Sequence, residues 1–144
     1  MDFAGTYVAI EFGETSNRNL TKFFENLGVK NIVDDLHVTL IYSRETMLFD
    51  EIDLNLKGEL IRFENARYEL FGEDKDVLVL RFNSKILNDA HENIKSIGAI
   101  HSYPNYSPHL TIAYDMKEIP SKMLPIELRT HEIDKVIWEE INDD

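Results

Sequence analysis

HVTLIY at residues 37–42 and HLTIAY at residues 109–114 share one pattern, His-apolar-Thr-apolar-apolar-Tyr, 72 residues apart in a chain of 144. Each is rich in β-branched and aromatic residues, and each is the length of one strand. Side chains two apart on a strand point to the same side. His37 therefore shares a face with Thr39, and His109 with Thr111. Val38, Leu40, Leu110 and Ile112 take the opposite face, toward a core. Tyr42 and Tyr114 close the two motifs at matching positions and read as repeated architecture.

Working outward, the surroundings of the motifs repeat as well. Residues 3–12 (FAGTYVAIEF) alternate as a strand does, with Tyr7, Ala9 and Glu11 on one side and Val8, Ile10 and Phe12 on the other. In residues 16–27, Leu20, Phe23, Phe24 and Leu27 form one apolar helical stripe, with Thr15 or Ser16 as its cap and Gly28 as its stop. Residues 76–82 (DVLVLRF) read as a strand. Ser84 then caps a second helix that carries Ile86, Leu87, Ala90, Ile94 and Ile97 on one face and Gly98 near its end. Both halves thus run strand, helix, His-Thr strand; Tyr7 to His37 is 30 residues and Val77 to His109 is 32. This predicts an α+β fold of two βαβ-type lobes related by approximate two-fold symmetry, in one bilobal domain over residues 1–144, with the His strands central. Residues 43–56 read as a loop with a short crossing segment, 58–71 as strand and 72–76 as a turn. Residues 101–108 and 116–125 read as loops, and 126–141 as one or two closing strands.

Composition narrows the possible partners. Fifteen Lys and Arg against 27 Asp and Glu give a net charge of −12. That disfavours a coat on long DNA or RNA, where basic residues neutralise phosphates, and permits a small anionic ligand held in a local pocket. With no cysteine there is no disulfide, thiolate nucleophile or Cys-zinc site, and a cytoplasmic setting fits. The apolar runs are too short to span a bilayer, and no basic region precedes an apolar stretch at the N-terminus, so neither a membrane partner nor a signal peptide is expected. No GxxxxGK[ST], GxGxxG or HExxH occurs, so the sequence supports no nucleoside triphosphatase, dinucleotide or zincin reading.

Two His-Thr faces brought together in a groove suit phosphodiester cleavage. A neutral imidazole takes a proton from an attacking hydroxyl, and a protonated one gives a proton to the leaving oxygen. Thr39 and Thr111, with backbone N–H groups, can hydrogen-bond the phosphoryl oxygens as charge develops. This scheme needs no metal or other cofactor. A histidine metal site and a duplication kept only for packing are the competing readings.

Two HxT motifs on such a chain resemble the 2H phosphoesterase superfamily, which is named for its two histidines. The resemblance covers nearly the whole chain. It implies antiparallel sheets around a central groove, with catalytic roles on His37, Thr39, His109 and Thr111. A narrower resemblance is to the anti-CBASS nucleases of phages, which degrade the cyclic oligonucleotide signals of bacterial immunity. It rests on Tyr7 in GTYVAIEF, the form HVTLIYS, and Glu132 with Trp138 in E-x5-W. It implies substrate-binding roles for Tyr7, Glu132 and Trp138, and for an aromatic of the central strands, Tyr68 or Phe71. Trp138, the only tryptophan, reads either as core packing or as a base-stacking platform worth about 1–3 kcal/mol. The implied substrate is a 3′–5′ linked cyclic di- or trinucleotide such as cyclic GMP-AMP. A phosphodiesterase acting on RNA 2′,3′-cyclic phosphates and a binding protein without turnover remain as alternatives.

The remaining residues have plainer readings. His91 is expected in solvent on the second helix, and His101 on a loop. His131 and Glu132 should face opposite sides of a strand. Tyr103 and Tyr106 would form part of a lid or cover a sheet edge. Arg44 would pair with a phosphate or with a surface carboxylate.

Overall fold

The structure, a computed structural model, describes residues 5–44, 53–98, 105–120 and 130–141. It contains β1 (Gly5–Phe12), α1 (Glu14–Asn26), β2 (His37–Ser43), β3 (Leu60–Ile61), β4 (Glu64–Phe71), β5 (Val77–Asn83), α2 (Lys85–Ser96), β6 (His109–Ala113) and β7 (His131–Ile141). The strands form one seven-stranded sheet in the order β3-β7-β1-β2-β6-β5-β4, and every pairing is antiparallel. The pseudo-symmetry is visible in that order. β1-β2 and β5-β6 flank a central seam, and each pair is joined through one helix. The two repeats therefore share a single continuous sheet.

Both helices contribute one apolar stripe to a common core. Leu20 and Phe24 of α1 and Leu87, Ala90 and Ile94 of α2 pack with Val8, Ile10, Val38, Leu40, Leu80 and Leu110 from the strands. Burying a side chain of the size of Phe24 or Leu87 stabilises the fold by about 1.5–3 kcal/mol.

Several local features differ from the sequence reading. α1 starts at Glu14 behind an uncapped Gly13, and Ser16 Oγ accepts instead from the Glu132 backbone N–H at 3.2 Å. Neither Thr15 nor Ser16 caps the helix. The Ser84 cap does form, its Oγ accepting from Leu87 N–H at 3.3 Å, and Gly28 follows α1 at φ +89°. The strand expected over 58–71 is two strands, because Arg62 and Phe63 lie between β3 and β4 and Phe63 is fully buried. Expectations on His101, Tyr103 and the segments 45–52 and 121–129 lie outside the described residues.

The two central strands carry matching irregularities. Val8 pairs with Ile41 and Ala9 with Thr39, which leaves Leu40 as an extra residue on β2. Leu78 pairs with Ala113 and Val79 with Thr111, which leaves Ile112 extra on β6. Each is a β-bulge one residue after the motif threonine. Each inverts the alternation beyond it. Ile41 and Ala113 accordingly stay in the core beside Leu40 and Ile112, and all four are fully buried.

Gly5 is required where β1 begins. A Cβ there would lie 1.7 Å from the carbonyl oxygen of Ser43, at φ +156°. Gly5→Ala is expected to cost about 2 kcal/mol or more and to lower the melting temperature by roughly 5 °C, measured by thermal denaturation. An unchanged melt would show that the two strands separate there without cost.

Candidate active site

β2 and β6 meet at one partnered pair, Val38 and Leu110. Antiparallel pairing about that pair sets His37 toward Thr111 and Thr39 toward His109 on the face away from the helices. The four motif side chains thus form a crossed arrangement in which each histidine sits beside the threonine of the other repeat. Ala9 and Val79, the cross-strand partners of Thr39 and Thr111, are buried at 0% and 1% exposure. Neither belongs to the core cluster, and both form the floor beneath the motif side chains.

The two imidazoles are held in the same way. His37 Nδ1 lies 3.0 Å from the Asp35 carbonyl, and His109 Nδ1 lies 3.2 Å from the Ser107 carbonyl, each two residues upstream. A carbonyl only accepts, so each Nδ1 carries the proton. That leaves Nε2 to take or give a proton in the groove. Burial, assisted by Arg81 and by His37, pushes the His109 imidazole below its ordinary value; the bond to Ser107 and the Glu69 carboxylate oppose this.

Tyr7 reaches the same face. The Thr39 hydroxyl donates to the Tyr7 oxygen at 3.2 Å, and the Tyr7 ring lies edge-on to His37 at 6.4 Å. Burial raises the Tyr7 phenol pKa, with Thr39 opposing and Glu139, Tyr114 and Glu11 adding to the rise. Phe71 lies 5.1 Å from the His109 ring, and the Arg81 guanidinium sits 5.2 Å from the Phe71 ring centre. A cavity of about 430 Å³ opens here, lined by Thr39, Tyr42, Phe71, Arg81, Tyr106 and His109 among others. That volume suits a small organic ligand.

Not every expected residue joins this group. Tyr68 pairs with Leu80 on the helix face and packs against the core, where burial pushes its pKa up to about 12. Of the two central aromatics, the structure brings only Phe71 to the histidines. Trp138 pairs with Val8 and also packs against the core, so β7 does not present it to the groove. Glu132 is exposed on β7, separated from His37 by β1. His131 is buried against Phe63, on the side opposite Glu132. Arg44 sits over the Tyr42 ring at 5.4 Å.

His91 is a correction. It is 3% exposed, its Nδ1 donates to the Leu40 carbonyl at 2.6 Å, and its ring stacks on Tyr106 at 4.1 Å. The Tyr106 hydroxyl donates to the Thr39 carbonyl at 2.7 Å. The pair thus clamps successive carbonyls at the β2 bulge, and Tyr106 belongs to the wall of the site. Arg81 and Tyr42 went unnoticed in the sequence as site residues. Arg81 had a signal, since DVLVLRF puts it two residues beyond Val79 and opposite Leu78, Leu80 and Phe82. Among the described residues no three His, Asp or Glu side chains converge as metal ligands do. Nor is any described helix long and apolar enough to cross a membrane.

The family model of Anti-CBASS protein Acb1 matches residues 4–144. The chain belongs to that family. A relative of the same name from Vibrio phage KVP40 is 31% identical over 117 residues, covering 80% of this chain and 76% of its own. The Anti-CBASS protein Acb1 of Enterobacteria phage T4 is 29% identical over 119 residues, with 80% and 76% covered. A crystal structure of a phosphoesterase superposes over 99% of this chain and 100% of its own, with TM-score 0.58 and 16% identity. The chain has that phosphoesterase's fold.

Proposed function

We propose that this chain is a 2H-type phosphodiesterase that opens 3′–5′ linked cyclic di- or trinucleotides to linear products and thereby counteracts CBASS immunity in the host cytoplasm. The observation that carries this reading is the pair of imidazoles, each tied at Nδ1 and open at Nε2, across one seam from each other with a threonine beside each. Membership of the Anti-CBASS protein Acb1 family supports the biological role.

The chemistry proceeds in two steps. In the first, a ribose 2′-hydroxyl attacks the adjacent phosphorus and loses its proton to one imidazole. The bond from phosphorus to the 5′-oxygen breaks, and that oxygen takes a proton from the other imidazolium. A 2′,3′-cyclic phosphate results. In the second step water opens this ring with the two roles exchanged, and the linear product ends in a phosphate. Thr111 donates to a non-bridging oxygen as charge builds, and Thr39 does the same once its proton turns from Tyr7, whose hydroxyl then donates to Thr39 Oγ. Phe71 offers a face to a base; Tyr7 orients Thr39. The base-stacking role expected of Trp138 falls to Phe71. No step requires a metal ion.

The test is a chromatographic assay of the purified protein with 3′,3′-cyclic GMP-AMP in excess EDTA. A linear, phosphate-ended dinucleotide is the expected product. If cyclic di- and trinucleotides all stay intact while RNA 2′,3′-cyclic phosphates are opened, the substrate is RNA ends. Recovery of unaltered cyclic nucleotide from a heat-denatured complex would make the protein a binder without turnover.

A further inference from the structure

The pseudo-two-fold that equates the two histidines does not equate their neighbours. Across the strand from His109 stands Arg81; across the strand from His37 stands Glu11. These are matching positions on matching strands, with opposite charge. On the next strand outward both positions have a cation, Arg67 beside Arg81 and Lys135 beside Glu11; four residues along, Phe71 stands next to Val77 on the His109 side and Glu139 next to Tyr7 on the His37 side. Both charges are partly paired. Arg81 Nη1 lies 3.3 Å from Glu69, and Lys135 Nζ lies 3.3 Å from Glu11. Arg81 lines the cavity, while its Nε is buried with no hydrogen-bond partner among the described residues.

We propose that Arg81 and Glu11 give the two histidines fixed and different roles in ring opening: His109 takes the proton from the attacking 2′-hydroxyl, and His37 gives one to the departing 5′-oxygen. This rests on the phosphodiesterase reading above and deepens it. A cation beside an imidazole favours its neutral, proton-accepting form; a carboxylate favours the protonated, donating form. The described groups around His109 are Arg81 and Glu69 on the outer strands, with Arg67 sharing the Glu69 carboxylate at 3.2 Å, and His37 across the seam. Around His37 they are Glu11 with its Lys135 partner, and Tyr7. Burial and Arg81 hold His109 toward the neutral form, which agrees with its role as base. The proton balance is closed: one proton passes from the 2′-oxygen to His109 Nε2, and one from His37 Nε2 to the 5′-oxygen.

A pH profile is blind to exchange of the two roles, so the test uses a leaving group that needs no acid. The probe is 3′,3′-cyclic GMP-AMP with sulfur replacing both 5′-bridging oxygens, since a thiolate departs unprotonated. His37→Ala is expected to lose about 100-fold or more on the oxygen substrate and to recover to within about tenfold of wild type on the sulfur one. His109→Ala is expected to stay about 100-fold down on both. Rescue of His109→Ala instead, or equal behaviour of the two variants, overturns the assignment. A wild type that cleaves neither probe removes cyclic GMP-AMP as substrate, and with it the ring-opening assignment. Arg81→Gln supplies the second readout: loss of its charge should move the acid limb to higher pH, with the fold intact by thermal melt. An unmoved limb in a folded Arg81→Gln protein would overturn the role given to Arg81.

Discussion

His37→Ala and His109→Ala should each lower kcat on a cyclic dinucleotide by about 10²–10⁴-fold, the usual worth of a general acid or base. The fold should survive both changes. Each ring lies on the groove face rather than in the core, and each gives up one described hydrogen bond, to Asp35 or to Ser107. A neutral side-chain hydrogen bond of this kind contributes only about 1 kcal/mol. The measurements are single-turnover rates and thermal melts on the same preparations. On the proposed mechanism the double variant should be little worse than either single one, because groups that act as a unit do not lose activity additively. A single variant that keeps more than a tenth of the wild-type rate would sink the paired-histidine mechanism.

The second large effect is on pH. The proposed mechanism requires one imidazole neutral and the other charged, so the rate should trace a bell and fall tenfold per unit beyond each limb. The structure fixes the direction of one limb. Burial, with Arg81 and His37 adding to it, lowers the pKa of His109, so this ring loses its proton before an ordinary imidazole would as pH rises. The acid limb should therefore fall below pH 6.5, the ordinary imidazole value. Rates of the free enzyme at subsaturating substrate report it. A limb at or above the ordinary value, or a rate flat from acid to alkaline pH, would contradict the environment described for His109.

The central part of the site was legible because it needs only a period of two. His37, Thr39, His109 and Thr111 lie in unbroken alternation, and the repeat of the whole strand-helix-strand unit set them across one seam. The apolar stripe of α2 and the Ser84 cap were readable for the same local reason. What failed to read depends on long-range contact. The face taken by Tyr42 follows from the bulge at Leu40, which exists only in the pairing with β1. His91 looked like a surface residue because its sequence neighbours are charged. It is buried because Leu40 and Tyr106, 51 and 15 residues away in sequence, close over it. Trp138 alternates correctly with its neighbours, yet nothing within β7 tells which face the sheet turns toward α1 and α2. Arg81 lies in plain alternation on β5, but its place beside His109 comes from the pairing of β5 with β6, which lies outside either strand's own sequence.

The crossed seam also decides what a half-molecule is worth. The cavity wall beside His109, from the second repeat, includes Thr39 and Tyr42, from the first. A polypeptide holding one repeat would own an imidazole but not the hydroxyl that serves it. Severed at the turn before β5, the two fragments would still interleave: β7 of the second lies between β3 and β1 of the first, and β4 of the first pairs with β5 of the second, so the groove would form again only when those seams and the Val38–Leu110 seam closed together. The smallest unit that holds the whole candidate site is therefore the junction of both repeats.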